Sequence, residues 1–561
     1  MGEIMRIQQQ QLNTRNYNNE QKSKNNNPKF KGLLDGALTT TLMTLDTNPM
    51  ANAVGIDLFA MVAPRTYVDT KERNKYAGAE TFFREFTGTL IVCLSASYLA
   101  KGIAKLANKI INPKTPINPK SWYSKDSLMF LDTASKEINS TKDFVANVFE
   151  NVSGRDNKNI KKFNEINWQN IEWIDENKWN KINWDNKKYT GIHNNLKSKD
   201  SIINLTSELI NDKTISKKDR KNLLQITESR VINALGVNNI STRYKEKTLS
   251  TTIGNLLRDT VDFGHDILTN KNVEKGSAIN KLLKINKIKA IGGLTIASTL
   301  GLTNQYINRK ITEKRTGKKG FVGDNSFVQQ VADNSTPKTT TEQPKKDKKF
   351  IAEKLIASLG MIAMAGAVMK VKSPRDFVKK LEFTGPVTSG NAIKTVYAST
   401  LIGRFLASDN KDELRESTTR DYLGFLNWLV LGGFASKGVA NLLDRKKESL
   451  FNVSKEGKGI KHWLNDISLK SHKEIASKGT EFAKKNMWKL NLAHISGLAY
   501  STLALGVLLP KLNIFITNMK NKNNHQNTNN SSSSLQKTSH FEQFKNNVLA
   551  DNFDALNKTV W

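Results

Sequence analysis

The chain has 561 residues, a formal net charge of +34, 38% hydrophobic residues and one cysteine, which is length enough for roughly two to four ordinary domains with a real core. Cys93 alone cannot build a disulfide framework or a thiolate metal site, and eleven prolines among long runs of Leu, Ala, Ile and Gly favour helices over sheets. The charge does not single out nucleic acid: Lys and Asn rise together, as in residues 16–27, the joint excess an AT-rich genome leaves at tolerant surface positions, and no basic stripe carries stacking aromatics. Attraction to anionic lipid headgroups accounts for it at least as well.

In chain order, residues 1–29 are polar and Gln/Asn-rich and read as a disordered tail, without the apolar core and cleavage site of a secretory signal peptide. Arg6 stands where a myristoylation signal after Met1-Gly2 needs Ser or Thr. Residues 30–111 form a first helical unit, with a turn around Pro64 and a helix starting near Ala79. Residues 112–282 are a polar Trp/Asn/Lys-rich insertion with helical patches. Within it Trp168, Trp173, Trp179 and Trp184 are spaced five, six and five apart, which fits neither one helical stripe nor a strand. They read as anchors that dock the insertion, against the alternative of an aromatic surface for sugar, base or interfacial contact.

Residues 283–311 hold an apolar helix, Ala290–Asn308, of nineteen uncharged residues, with Gly293, Ala297 and Gly301 lining one face for close helix approach. Residues 312–349 read as a flexible linker, 350–447 as a second helical unit, and 448–517 as a helical region ending in the twenty-one uncharged residues Leu490–Pro510. A polar spacer and tail, 518–561, close the chain.

The two helical units share a motif. Arg84-Glu85-Phe86-x-Gly88-x-Leu90 followed by Lys101-Gly102-Ile103-Ala104 returns 336 residues later as Arg420-Asp421-Tyr422-x-Gly424-x-Leu426 followed by Lys437-Gly438-Val439-Ala440. Just upstream, Asn52 precedes Arg65 by thirteen residues, and Asn391 precedes Arg404 by thirteen. Such an interval implies two similar helical units packed about a pseudo-twofold axis. Glu80 and Arg84, like Glu416 and Arg420, are four apart and share a helix face as an ion pair, with Gly88 or Gly424 next on that face. The bland reading is that these charges orient and cap the start of an apolar helix and that Lys-Gly marks its end. The functional one is a polar site at the interface of the two units.

Five apolar runs raise the question of a membrane: Gly88–Ala100, Ala290–Asn308, Leu355–Met369, Tyr422–Ser436 and Leu490–Pro510. A crossing helix needs about 20 apolar residues, and only the second and fifth approach that length; Lys101 and Lys437 could snorkel to extend the motif cores. Five simple crossings would point the two cores in opposite directions. Yet both have acid and Arg before them and net lysine after, and the positive-inside tendency asks for the same direction.

Searches for chemistry return nothing. The seven histidines have no metal-ligand spacing, and there is no phosphate-binding loop, nucleophile elbow or zinc-protease signature. His494, in the longest apolar run, reads as a satisfied helix-interface histidine. No catalytic, cofactor-binding or metal-binding residue is assigned.

Residues 52–66, Asn-Ala-Val-Gly-Ile-Asp-Leu-Phe-Ala-Met-Val-Ala-Pro-Arg-Thr, and residues 420–434, Arg-Asp-Tyr-Leu-Gly-Phe-Leu-Asn-Trp-Leu-Val-Leu-Gly-Gly-Phe, resemble an uncharacterised family of helical proteins from non-photosynthetic, gut-dwelling relatives of cyanobacteria. The resemblance covers the two units, about a third of the chain, implies a bacterial protein from a low-GC genome, and brings no activity and no site residues.

The expected architecture is all-α, two related helical units around a shared apolar core with a polar insertion and disordered tails. The expected function is a membrane-associated structural or scaffold protein without catalysis, its partner membrane lipid. The alternatives are a transporter-like protein with a site at the interface of the units, and a soluble, cytoplasmic basic helical protein that binds acidic partners or RNA.

Overall fold

The structure, a computed structural model, describes residues 38–45, 54–111, 123–154, 162–171, 179, 182–271, 273–316, 348–382, 390–453, 457 and 459–528. Among these 78% are helical and 5% are strand, so the all-α class holds. The expected tail 1–29, Trp173 and most of the expected linker and C-terminal spacer lie outside the described residues.

The chain builds two kinds of packing. Between the first and second motif, α4 (Lys125–Ala134), α5 (Thr141–Phe149), α6 (Lys199–Asn211), α7 (Lys217–Leu235) and α8 (Ile253–Phe263) close around one core. A three-stranded antiparallel sheet completes it: Ser153–Gly154, β1, pairs with Asn239–Tyr244, β2, which pairs with Lys247–Thr252, β3. Local chemistry sets the ends of these helices. Ser124, Ser140, Ser198, Ser216 and Thr252 each accept a backbone N–H of the first turn, and Gly236 closes α7 at φ 71°, a left-handed conformation open to glycine. Phe130, Phe144, Phe149, Phe163 and Phe263 are fully buried here. Among the described residues no large apolar side chain between 123 and 282 is exposed. The expected polar insertion is therefore a compact module with an apolar interior. Trp168 and Trp179 are buried in that core and Trp184 packs on it, so they anchor the module itself.

The rest of the described chain up to Pro510 is a helical body. Before the module come α1 (Ala63–Glu72), entered through a π-helical turn at Ile56–Val62, and α2 (Lys75–Thr89), which passes through a π-helical turn at Leu90–Ser95 into α3 (Ala96–Ile111). After the module come α9 (Lys275–Thr316), α10 (Lys348–Val368), α11 (Pro374–Lys380) and α12 (Gly390–Ala407). Then α13 (Lys411–Leu426) passes through a π-helical turn, Asn427–Leu431, into α14 (Gly432–Leu443), and α15 (Thr480–Ser501) meets another at Thr502–Leu508. Between α14 and α15, β4 (Phe451–Val453) pairs with β5 (Ile467–Leu469) over a small core of their own. The last described helix, Leu509–Thr528, runs into a second compact unit that begins at Lys511.

At 42 residues α9 is about 63 Å long and joins the two parts. Ala278 and Leu282 lie in the module core, whereas Leu294 and Ala297 lie in the core of the body. Its closest neighbours are α12 and α3. Gly301 meets α12 so closely that a Cβ there would stand 2.7 Å from Thr400 Oγ1, and a Cβ at Gly403 would collide with the Leu302 carbonyl. The helix continues to Thr316, past the point where the linker was expected to begin.

Four helical stretches are long and apolar enough to cross a membrane: Lys75–Ile111, Lys348–Val368, Lys411–Leu443 and Glu481–Met519. This changes the expectation that the motif cores are too short, because each is the middle of a helix of 37 or 33 residues. The apolar run of α9 is not among the four; Thr, Ser, Asn and Gln dilute it between Thr295 and Gln305.

Two predictions follow from the packing. Gly403→Leu should separate α12 from α9 and lower the thermal unfolding midpoint of the detergent-solubilised protein, with a loss of about 1–3 kcal/mol for an overpacked contact. In the module, burial, with Asp259 and Asp266 nearby, pushes Asp262 up to about 7. The folded chain therefore holds that proton more tightly than the unfolded chain, and stability should fall as pH rises from about 4 to 7. Asp262→Asn should flatten that fall and gain about 1–2 kcal/mol at pH near 8, after discounting for a side chain that is only half-buried; unfolding curves across that range check it.

Candidate functional site

The motif charges converge inside the helical body. Asn74 caps α2 and Asn410 caps α13, each accepting a first-turn N–H. The caps are thus asparagines, and the motif's own charges point inward about three turns later. Arg65, Arg84, Arg404, Arg420, Glu85 and Asp421 are all less than a tenth exposed.

Glu85 is the node. Its Oε1 receives Arg65 Nη1 at 3.3 Å and Arg84 Nε at 3.4 Å, and its Oε2 receives Arg404 Nη2 at 3.0 Å. Arg404 then reaches Asp421 Oδ1 through Nη1 at 3.1 Å, and Arg420 Nε reaches the same oxygen at 3.0 Å. A single guanidinium thus ties the carboxylate of the first motif to that of the second, a use suited to its planar fork of donors. The motif glycines face the arginines reciprocally, at ordinary contact distance. A Cβ on Gly88 would stand 3.9 Å from Arg404 Nη2, and one on Gly424 would stand 3.5 Å from Arg65 Nη2.

Arg65 has a second task. Its Nε donates to the Leu505 carbonyl at 2.9 Å. That carbonyl lies in the π-helical turn Thr502–Leu508, where the Leu509 N–H goes to Ala504, and the residue five beyond Leu505 is Pro510, which has no N–H to give. The arginine supplies the donor that the proline removed.

An outer ring of polar contacts surrounds the node. Arg73 Nη2 meets Glu416 Oε1 at 2.7 Å, Arg309 of α9 pairs with Glu413 and with Asp409 at 2.6 Å, and Gln305 donates to Glu80 at 3.3 Å. Thr81 donates to Asp69 at 2.6 Å and receives Arg84 at 3.1 Å. Asp57 accepts from Thr89 at 3.2 Å, with the buried Cys93 thiol 3.9 Å away.

Several expectations change here. Arg84 pairs with Glu85 rather than with Glu80, and Glu416 is held by Arg73. A carboxylate beside the arginine in sequence lies on the same inward edge of the helix as the guanidinium from the other unit, which draws it in. Lys101-Gly102 and Lys437-Gly438 lie inside α3 and α14 rather than at their ends. The two lysines also differ: Lys101 is exposed, while Lys437 is buried, sits 4.3 Å over the Trp463 ring and donates to its carbonyl. The residues that sequence reasoning undervalued are Arg65 and Arg404. Their equal thirteen-residue spacing was the signal, and only packing shows that both side chains turn into the node.

The network offers no exposed nucleophile, and among the described residues no group of three or more His, Cys, Asp or Glu side chains could hold a metal ion. His494 stacks 5.0 Å from His472, whose ring bonds Asn491 at 3.0 Å.

Removing Arg404 unlinks Glu85 from Asp421, although Arg65 and Arg84 still face Glu85 and Arg420 still faces Asp421, so Arg404→Met should cost roughly 1–3 kcal/mol, the range for lost hydrogen bonds to charged groups. Arg404→Lys should recover only part of this, because an ammonium cannot span both carboxylates. Thermal unfolding of the two variants in detergent checks the order. No protein-family model, no curated protein and no solved structure matches this chain.

Proposed function

We propose that this chain is a membrane-embedded structural protein, a helical scaffold in the bilayer that carries the 123–282 module on one face and performs no catalysis. One observation carries the reading: large apolar side chains are exposed on the outside of the body while a cluster of charges is buried within it. Phe59 is 79% exposed, Ile356 69%, Leu442 69% and Leu359 64%, while six motif-linked charges are buried. Exposed apolar surface on this scale is costly in water and favourable in lipid, and ionisable side chains in a bilayer face the bundle interior and pair there.

The direction of the two motif helices supports the same reading. The chain enters the module soon after α3 ends. The segment after α14 touches that module too, through Asn238 N–H to Glu474 at 2.9 Å and Lys473 to Glu228 at 2.8 Å. Both helices therefore end on the module side, where Lys101, Lys105 and Lys109 are matched by Arg445, Lys446 and Lys447. Of the four stretches apolar enough to cross, only α10 lies between the motif cores, which is an odd number. They then run in the same direction, as the positive-inside tendency requires.

The transporter alternative has in its favour only that the buried charges sit where the two units meet. Their mutual pairing weighs toward a structural clamp.

Fractionation tests the proposal. The protein should stay in membranes washed with alkaline carbonate and leave them only with detergent. In a Cys93→Ser background, single cysteines at Lys109 and Lys447 should react with an impermeant thiol reagent from the same side. Recovery in the soluble fraction, or labelling from opposite sides, would overturn it.

A further inference from the structure

Where the module meets the body, a groove of about 960 Å³ runs along α9 against α11 and α12. Its two ends differ in chemistry. Toward the module it is lined by Lys125, Lys284, Lys287 and Lys289, with Asn286 bonded to the Tyr123 carbonyl at 2.7 Å. Toward the body it is lined by Ile291, Leu294, Leu302, Phe377, Val378 and Leu381. Lys289 is fully buried, bonds Asn286 at 3.0 Å and has Asp259 nearby, so three exposed lysines face one lining carboxylate, Glu382, which accepts the Lys125 backbone N–H at 2.9 Å. The neighbouring Asp126 is paired with Lys379 at 2.9 Å. The positive end is therefore not neutralised by the acids around it.

This polarity follows from the sequence of α9. Lys281, Lys284, Lys287 and Lys289 crowd its first half, and no further charge appears until Arg309. The groove begins where the helix leaves the module core and continues where it enters the body core. On the reading above, that is the depth at which lipid headgroups give way to acyl chains.

We propose that the groove holds one anionic phospholipid from the bilayer, its phosphate at Lys284, Lys287 and Lys125 and one acyl chain along the apolar wall of α9. This inference rests on the membrane reading. A basic pocket beside transmembrane helices is the setting in which anionic headgroups are retained, and the apolar half gives the chain a wall to cover. Lys284, Lys287 and Lys125 are exposed, so the headgroup reaches them without unfolding anything.

The test uses the full chain purified in detergent and offered equal phosphatidylglycerol and phosphatidylcholine, with bound lipid read by native mass spectrometry. Phosphatidylglycerol should be retained over phosphatidylcholine by about tenfold. Lys284→Glu with Lys287→Glu should bring that ratio to near one, and Thr295→Trp, which fills the apolar half, should remove both lipids. Lys217→Glu with Lys221→Glu, exposed on α7 of the module, should leave the preference intact and excludes a general charge effect. Equal retention of the two lipids, a preference that survives the first pair of reversals, or displacement by glycerol phosphate at matched concentration would overturn the proposal. A chain that stays in carbonate-washed membranes yet shows no preference refutes the groove alone, whereas a chain found in the soluble fraction refutes the membrane reading beneath it.

Discussion

The helical body depends on three guanidinium groups closing on one carboxylate. Burying Glu85 alone would cost several kcal/mol, and the approach of Arg65, Arg84 and Arg404 turns that cost into mutual attraction in a medium that screens it weakly. Because Arg404 also holds Asp421, the attraction is shared between segments more than three hundred residues apart in sequence. Because Arg65 also caps Leu505, it extends to the last long helix of the body. Each charge of the node is paired with another, so a shift of any of these helices would break a buried ion pair or uncover a carbonyl.

The same chain solves the burial problem in two opposite ways. In the module, phenylalanines and isoleucines fill the interior and lysines cover the surface, as water demands. In the body, ion pairs share the interior with an apolar core that includes Met361, Phe405, Phe425 and Trp428, and further large apolar residues face outward. Gly301 and Gly403 belong to this second solution, since α9 and α12 meet so closely that a side chain there would collide with the facing helix. The length of α9 makes the two solutions compatible, because a single rigid helix contributes one end to each.

The π-helical turns belong to the same logic. One lies in the apolar middle of each motif helix, at Leu90–Ser95 and Asn427–Leu431, and another precedes Pro510. A turn of this kind shifts the helix register by one residue and releases a carbonyl from the usual ladder. At Leu505 the released group meets Arg65, and at Asn427 the side-chain carbonyl meets Tyr500 at 2.9 Å. Irregular backbone is here placed inside the protein, where side chains can satisfy it.

The sequence by itself determined the helical class, the apolar runs, the recurrence of Arg-acid-aromatic-x-Gly and the equal thirteen-residue spacing of Asn52 from Arg65 and Asn391 from Arg404 upstream of it. These are local properties: hydrophobic period, propensity and spacing along one chain. It pointed to Arg84, Glu85, Arg420, Asp421, Gly88 and Gly424, and it took Glu80 and Glu416 for the partners because they stand one helical turn away. Tertiary structure decided which carboxylate each guanidinium takes, that Arg65 and Arg404 complete the node, that the polar insertion has an apolar core, and that Lys101 and Lys437 have different fates. The reason is that an ion pair inside a protein is chosen by direction in space. Glu85 faces the arginines of both units at once, and nothing in the linear order places residues 85 and 404 within 3.0 Å of each other.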